Sequence, residues 1–264
     1  KIIVIVPIMQ KKMKRNSGVK GKPFKKRLLK YLKIIFLYLP LIFFSVTLIW
    51  ITLLKWVPVW YTPLMAIRSV ENIGDDTFKS YKKWVPVSKI SPNMVMAVIA
   101  SEDNRFMEHN GFDWIEIDKA IDAGKKGKRM RGASTISQQT AKNVFLYPSR
   151  SWFRKGLEVY FTAGIELIWG KKRIMEVYLN VAEMGRGVYG AEAAAQRLFK
   201  KTAQKLTPRE SALIAATLPN PLRRRADNPS AYISSRASVI QDLMYKVPRP
   251  LWLDKKERVK EKKK

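Results

Sequence analysis

Apolar residues recur at helical spacing through most of the chain beyond residue 90. The segments 93–106, 114–123, 135–146, 153–168, 171–182, 189–199, 208–218 and 230–246 each place apolar side chains three and four residues apart. That spacing predicts helices that bury one face. Strand-like alternation is scarce, so the pattern predicts a mainly α fold. Local signals agree. Ser91-Pro92 offers an N-cap followed by proline at the first helical position. Thr207-Pro208-Arg209-Glu210 spells a capping box.

The N-terminal part has a different pattern. Ile34 to Leu54 is a run of 21 residues without a charge, long enough as a helix to cross a hydrocarbon core of ~30 Å. Pro40 lies within it and is tolerated in a membrane helix. Eleven Lys/Arg fall in the 23 residues from Lys11 to Lys33. The positive-inside rule then places the N-terminus in the cytoplasm and the rest of the chain outside. Trp50, Trp56, Trp60 and Tyr61 supply an interfacial aromatic belt on the far side. No small-residue cleavage pattern follows, so the span reads as an uncleaved anchor. The expected division is a basic tail over 1–33, a membrane helix over 34–54, a linker with extended pieces over 55–90, a helical domain over 91–250 and a charged tail over 251–264. Pro58, Pro63, Gly74 and Pro86 punctuate the linker.

Charge changes this picture. The 264 residues carry a net charge of +30, which calls for an anionic partner. The anchor region does not account for all of it. Residues 1–54 hold 12 Lys/Arg and no Asp/Glu, which leaves 39 basic against 21 acidic residues elsewhere. The absence of cysteine excludes disulfides, thiolate metal sites and a cysteine nucleophile. A single histidine, His109, excludes a His-rich metal site.

Four polar blocks carry the chemistry. The first, residues 100–113, runs Ala-Ser-Glu-Asp-Asn-Arg-Phe-Met-Glu-His-Asn-Gly-Phe-Asp. Ile99, Glu102 and Phe106 are spaced to share one face of a helix ending before Asn110-Gly111. Glu102, at the edge of an apolar face, suits a general base tuned by desolvation. Asp103 and His109 suit a backbone-fixing role. A basic loop over 124–131, with five cations, precedes the second block and is expected to meet phosphate or membrane. In that second block Ser134 or Thr135 can cap a helix, and a helix start offers N–H groups to an anion. Gln139 and Lys142, three apart, face the same way. The third block places Lys155 and Glu158 on one helix face, just after Arg150. A surface ion pair is the ordinary reading of such a pair. The fourth, Tyr178-Leu179-Asn180 with the glycines after it, reads as mostly structural.

Taken together and in order, these blocks resemble the peptidoglycan glycosyltransferase family, the transglycosylase type also carried by class A penicillin-binding proteins. Those enzymes polymerise lipid II into glycan strands. The likeness spans about residues 85–220. It implies a lysozyme-like helical lobe with a smaller membrane-apposed lobe around 110–135. By residue it implies Glu102 as catalytic base and Glu158 as the second acidic residue. Ser134, Gln139, Lys142, Arg150 and Lys155 match substrate-contacting positions, with Arg150 and Lys155 toward the diphosphate. Phe199-Lys200-Lys201 has lysine where the family often shows glycine. The expected form is the stand-alone, membrane-anchored one without transpeptidase activity, in the bacterial inner membrane with its catalytic domain periplasmic. The implied reaction is inverting, forms β-1,4 bonds and releases a lipid diphosphate. It needs no obligatory cofactor and no dedicated metal site, with a divalent cation, Mg or Mn, as an optional aid to the diphosphate. The implied partners are lipid II, the growing chain, the membrane, and proteins of wall synthesis or division, with no nucleic acid.

Two rival readings exist. A muramidase or lytic transglycosylase also uses a Glu in a helical fold, but its leaving group is a neutral sugar. A tethered nucleic-acid binder predicts aromatics among the basic patches, and the basic loop has none.

Overall fold

The computed structural model describes residues 22–127, 132–149 and 151–253. Arg150 and most of the cationic end of the basic loop lie outside the described residues. The described chain forms two compact units, one up to Leu48 and one from Ile49.

The first unit is helical: α1 (Lys22–Lys33), a widened turn at Ile34–Tyr38, and the start of α2 (Leu39–Leu53). In the widened turn the Leu39 N–H reaches back to the Ile34 carbonyl. Pro40, without an N–H, follows directly, and such a bulge is a common way to absorb a helix irregularity. Lys26–Leu53 is a 28-residue helix, long and apolar enough to cross a membrane.

The second unit is mainly α, as the periodicity predicts. Its helices are α3 (Pro63–Glu71), α4 (Pro92–Glu102), α5 (Trp114–Lys125), α6 (Ile136–Phe145), α7 (Trp152–Ile168), α8 (Lys171–Val181), α9 (Ala191–Phe199), α10 (Pro208–Thr217) and α11 (Ala231–Met244). Helix α4 is the core element. Met94, Val95, Ala97, Val98 and Ile99 are all buried, because α10 and α11 pack against it. Both N-caps read from the sequence form. The Ser91 hydroxyl accepts the Asn93 N–H ahead of Pro92, and Thr207 and Glu210 make a full capping box. A second helical layer sets α6 against α7 and α8. In the smaller lobe α5 buries none of its residues, and Trp114, Ile115 and Ile121 face outward.

Two expectations are refined. Residues 55–90, expected as a linker, carry α3, a strand and several core residues, among them Val59, Met65, Val85 and Val87. Partners far along the chain organise them. Asn180 accepts the Val85 N–H and donates to the Val85 carbonyl, both at 2.9 Å, and Glu176 accepts the Val87 N–H at 2.8 Å. Three short strands, β1 (Tyr81–Lys82), β2 (Glu183–Gly185) and β3 (Val188–Tyr189), form a sheet in the order β1-β3-β2. β1 runs parallel to β3, pairing Tyr81 with Val188, and β2 runs antiparallel to it.

The second refinement concerns the helix around Glu102. It ends at Glu102 itself and does not continue to Phe106. Asp103 leaves the helix with φ −163° and ψ 76°, and its side chain is committed to other partners described below.

Gly190 fixes how α9 follows β3. Its φ is +83°, and a Cβ there would lie 2.8 Å from the Asn180 carbonyl oxygen and 2.9 Å from the Asn180 Cα. Only glycine adopts that backbone region cheaply. Gly190→Ala is therefore expected to cost at least about 2 kcal/mol of stability, read as a lowered denaturant midpoint. An unchanged midpoint would contradict this account of the turn.

Candidate active site

The first polar block works as a clamp. Asp103 accepts the backbone N–H of Ile136, the first residue of α6, at 3.0 Å through one carboxylate oxygen. Its other oxygen lies 2.9 Å from His109 Nε2. His109 Nδ1 accepts the Gly111 N–H at 3.2 Å. A neutral ring that accepts at Nδ1 must carry its proton at Nε2, so His109 donates to Asp103. Thr135 completes the clamp by donating its hydroxyl to the Gly111 carbonyl at 2.6 Å. Phe106 is fully buried beneath this arrangement, with the Lys171 ammonium 4.6 Å from its ring centre. Thr135, rather than Ser134, caps α6, in a capping box with Gln138.

Asp103, His109 and Asp113 lie close enough to one another to hold a cation. They do not fit that role. Both His109 nitrogens are engaged, and Asp113 caps α5 by accepting the Glu116 N–H at 3.1 Å.

The clamp leaves Glu102 at the last residue of α4, opposite the first turns of α6. Gln139 donates from Nε2 to Glu102 Oε2 at 3.0 Å. Gln139 Oε1 in turn accepts the Tyr178 hydroxyl at 3.2 Å. One turn along α6, Lys142 is largely buried. Burial pushes its ammonium pKa down, with the Glu158 and Glu102 carboxylates pulling it back up and Arg154 and Lys155 pushing it lower still. Glu158 is only 4% exposed. Two cations of its own helix balance it: Arg154 Nη1 at 2.9 Å and the Lys155 ammonium.

Two cavities flank this array. One, about 300 Å³, is lined by Glu102, Asn104, Glu116, Lys119, Ser134 and Leu243 among others. The other, about 450 Å³, is lined by Leu64, Lys142, Asn143, Leu146, Pro148, Ser149 and Arg154. In this second cavity Ser149 Oγ and Arg154 Nε are buried and lack a hydrogen-bond partner among the described residues. Buried donors are almost always paired.

Of the residues expected from sequence, Glu102 and Ser134 line the first cavity and Lys142 the second. Gln139 is bonded to Glu102. Glu158 and Lys155 form a pair, with Lys155 still 42% exposed at its side chain. Arg154, Tyr178, Ser149 and Leu64 were not foreseen. Arg154 stands four residues before Glu158, a spacing that could have flagged it. Tyr178 lies in a block read as structural. Leu64 comes from the supposed linker, and no local signal marks it.

Comparison with known proteins follows from this geometry. The model of the transglycosylase family matches residues 69–245. A biosynthetic peptidoglycan transglycosylase of Bacteroides thetaiotaomicron is 54% identical over 245 residues, covering 90% of this chain and 97% of that protein. One from Bdellovibrio bacteriovorus is 55% identical over 197 residues, covering 74% of this chain and 79% of its own. One from Escherichia coli is 52% identical over 200 residues, covering 75% and 83%. With a family match over most of the second unit and relatives above half identity over 79–97% of their own length, this chain belongs to the transglycosylase family.

Proposed function

We propose a division of labour between the two cavities in the polymerisation of lipid II into glycan strands. The acceptor sugar occupies the cavity beside Glu102 and Ser134. Glu102 takes the proton from the acceptor 4-hydroxyl as that oxygen attacks the anomeric carbon of the lipid-linked donor. The new O4–C1 bond forms as the bond from C1 to the α-linked diphosphate breaks. The configuration inverts, and the product is β-1,4. The proton rests on Glu102, and the electron pair leaves on the diphosphate.

The diphosphate occupies the second cavity. Lys142, Asn143, Ser149 and Arg154 face its oxygens, and Leu64, Leu146 and Pro148 suit the start of its hydrocarbon tail. The grouping of Lys142 and Arg154 with Asn143 and Ser149 around this one cavity is the observation that carries the reading. Charge held in place before the reaction stabilises a leaving anion without reorganisation. Arg150, matched to the diphosphate by family resemblance, belongs to the same proposal, as does the exposed Lys155. A muramidase displaces a neutral sugar and has no use for such a wall. The Asp103–His109–Asp113 group does not fit a cation, so no step is routed through it. Mg or Mn, where it takes part, comes with the substrate's diphosphate.

The helix Lys26–Leu53 supplies the anchor. Its basic N-terminal flank supports a cytoplasmic N-terminus, with the catalytic unit on the outer face of the bacterial inner membrane. There it meets its lipid-linked substrate and the proteins of wall synthesis and division.

Two substitutions test this arrangement. Glu102→Gln keeps shape and removes the proton acceptor. Polymer formed from labelled lipid II should fall by on the order of 10²-fold or more with the unfolding midpoint retained. Polymerisation near the wild-type rate would sink the base assignment. Ser149→Ala removes a buried hydroxyl that has no partner among the described residues. The free protein should be as stable as before or slightly more so, because a buried unpaired group is costly. KM for lipid II should nevertheless rise roughly tenfold, as a hydrogen bond to an anion is lost. A normal KM would place the diphosphate elsewhere.

A further inference from the structure

Gln139 presents its amide to two partners at once, and the two ends of an amide are not equivalent. Its nitrogen only donates and its oxygen only accepts. Glu102 requires the nitrogen side when it is ionised. What holds that orientation lies on the far side of the amide. Tyr178, on α8, is fully buried, and its hydroxyl lies 3.2 Å from Gln139 Oε1. Burial holds the Tyr178 phenol well above the usual tyrosine range, and the charges of Glu102 and Asp103 push it further the same way. The phenol therefore keeps its proton. A permanent donor on Oε1 forces the amide nitrogen toward Glu102 Oε2, where it donates at 3.0 Å.

We propose that Tyr178 is a positioning residue for catalysis, setting the Gln139 amide so that its nitrogen donates to Glu102 Oε2. This rests on Glu102 being the base. In this arrangement Tyr178 touches neither substrate nor reacting atoms. It acts through Gln139, and α8 contributes to the reaction by way of α6, against which it packs. A hydrogen bond donated to a carboxylate favours its charged form. Without the phenol, the amide can rotate and turn its oxygen toward Glu102, which favours the protonated carboxyl instead.

Among the described residues, Ser101 and Asp103 beside it, Lys142 of α6 and, across the cavity, Asp113 with Glu116 and Lys119 of α5 also lie near Glu102. None of these changes when Tyr178 loses its hydroxyl, so a shift in the pH profile reports on the relay. Because the base must be ionised, the acid limb of kcat/KM follows the carboxyl of Glu102, and a raised carboxyl moves that limb to higher pH.

The experiment uses the full chain in detergent with labelled lipid II, across a range of pH. Tyr178→Phe preserves the shape of the core. It should move the acid limb upward by about one pH unit and lower kcat near neutrality several-fold, with KM for lipid II and the unfolding midpoint little changed. Gln139→Leu should move the limb in the same direction. The double variant should behave as Gln139→Leu alone, since Tyr178 acts only through that amide. An acid limb that stays in place in Tyr178→Phe, with Glu102→Gln inactive, would overturn the relay and leave the base assignment standing. Additive shifts in the double variant would also overturn it. If Tyr178→Phe does not fold, an unmoved limb in Gln139→Leu contradicts the proposal equally. Polymerisation by Glu102→Gln would remove the base and the relay together.

Discussion

The carboxylate of Asp103 is the constraint on which the site depends. It is buried, and it spends its oxygens on the Ile136 N–H and on His109. Each hydrogen bond to such a charged group is worth about 1.5–3 kcal/mol. The bond to Ile136 sits at the start of α6, where a helix favours a negative charge. One side chain thus ends α4 at Glu102 and fixes where α6 begins. The register of α6 follows, and with it the position of Gln139 on Glu102 and of Lys142 one turn further along.

Charge is arranged around that frame at several depths. Glu158 is buried and would be costly alone. Arg154 and Lys155 compensate it, and Lys142 lies within its field. Arg154 bonds Glu158 through Nη1 and also lines the second cavity. In the proposed reading, Glu158 holds its two cations in place beside the leaving diphosphate. The strong positive balance of the chain fits this at longer range, because a basic surface draws anionic substrates.

Much of the fold was legible in the sequence because its helices are amphipathic and well capped. Eight helices fall within a few residues of where the periodicity placed them, from α4 to α11. The misreadings have a common cause in long-range partners. Phe106 has helical spacing to Glu102, yet Asp103 finds better partners outside the helix than within it. Residues 55–90 carry proline and glycine like a linker, yet Asn180 and Glu176 of α8 satisfy their backbone. In the site, Gln139 and Lys142 were visible because spacing along one helix brings side chains together, and Glu102 because its polar block follows an apolar helical face. Tyr178 was not, because its meeting with Gln139 depends on how α8 packs on α6. Ser149 and Leu64 were hidden for the same reason.

The central claim is that this cleft transfers a sugar from a lipid diphosphate with inversion. The most direct measurement incubates the full chain in detergent with isotopically labelled lipid II and reads two products together: the configuration of each new glycosidic bond and the lipid diphosphate set free. The account predicts β-1,4 linkages throughout, with one lipid diphosphate released for each bond formed. Bonds of retained α configuration, or soluble fragments released from purified sacculi with no polymer from lipid II, would contradict it.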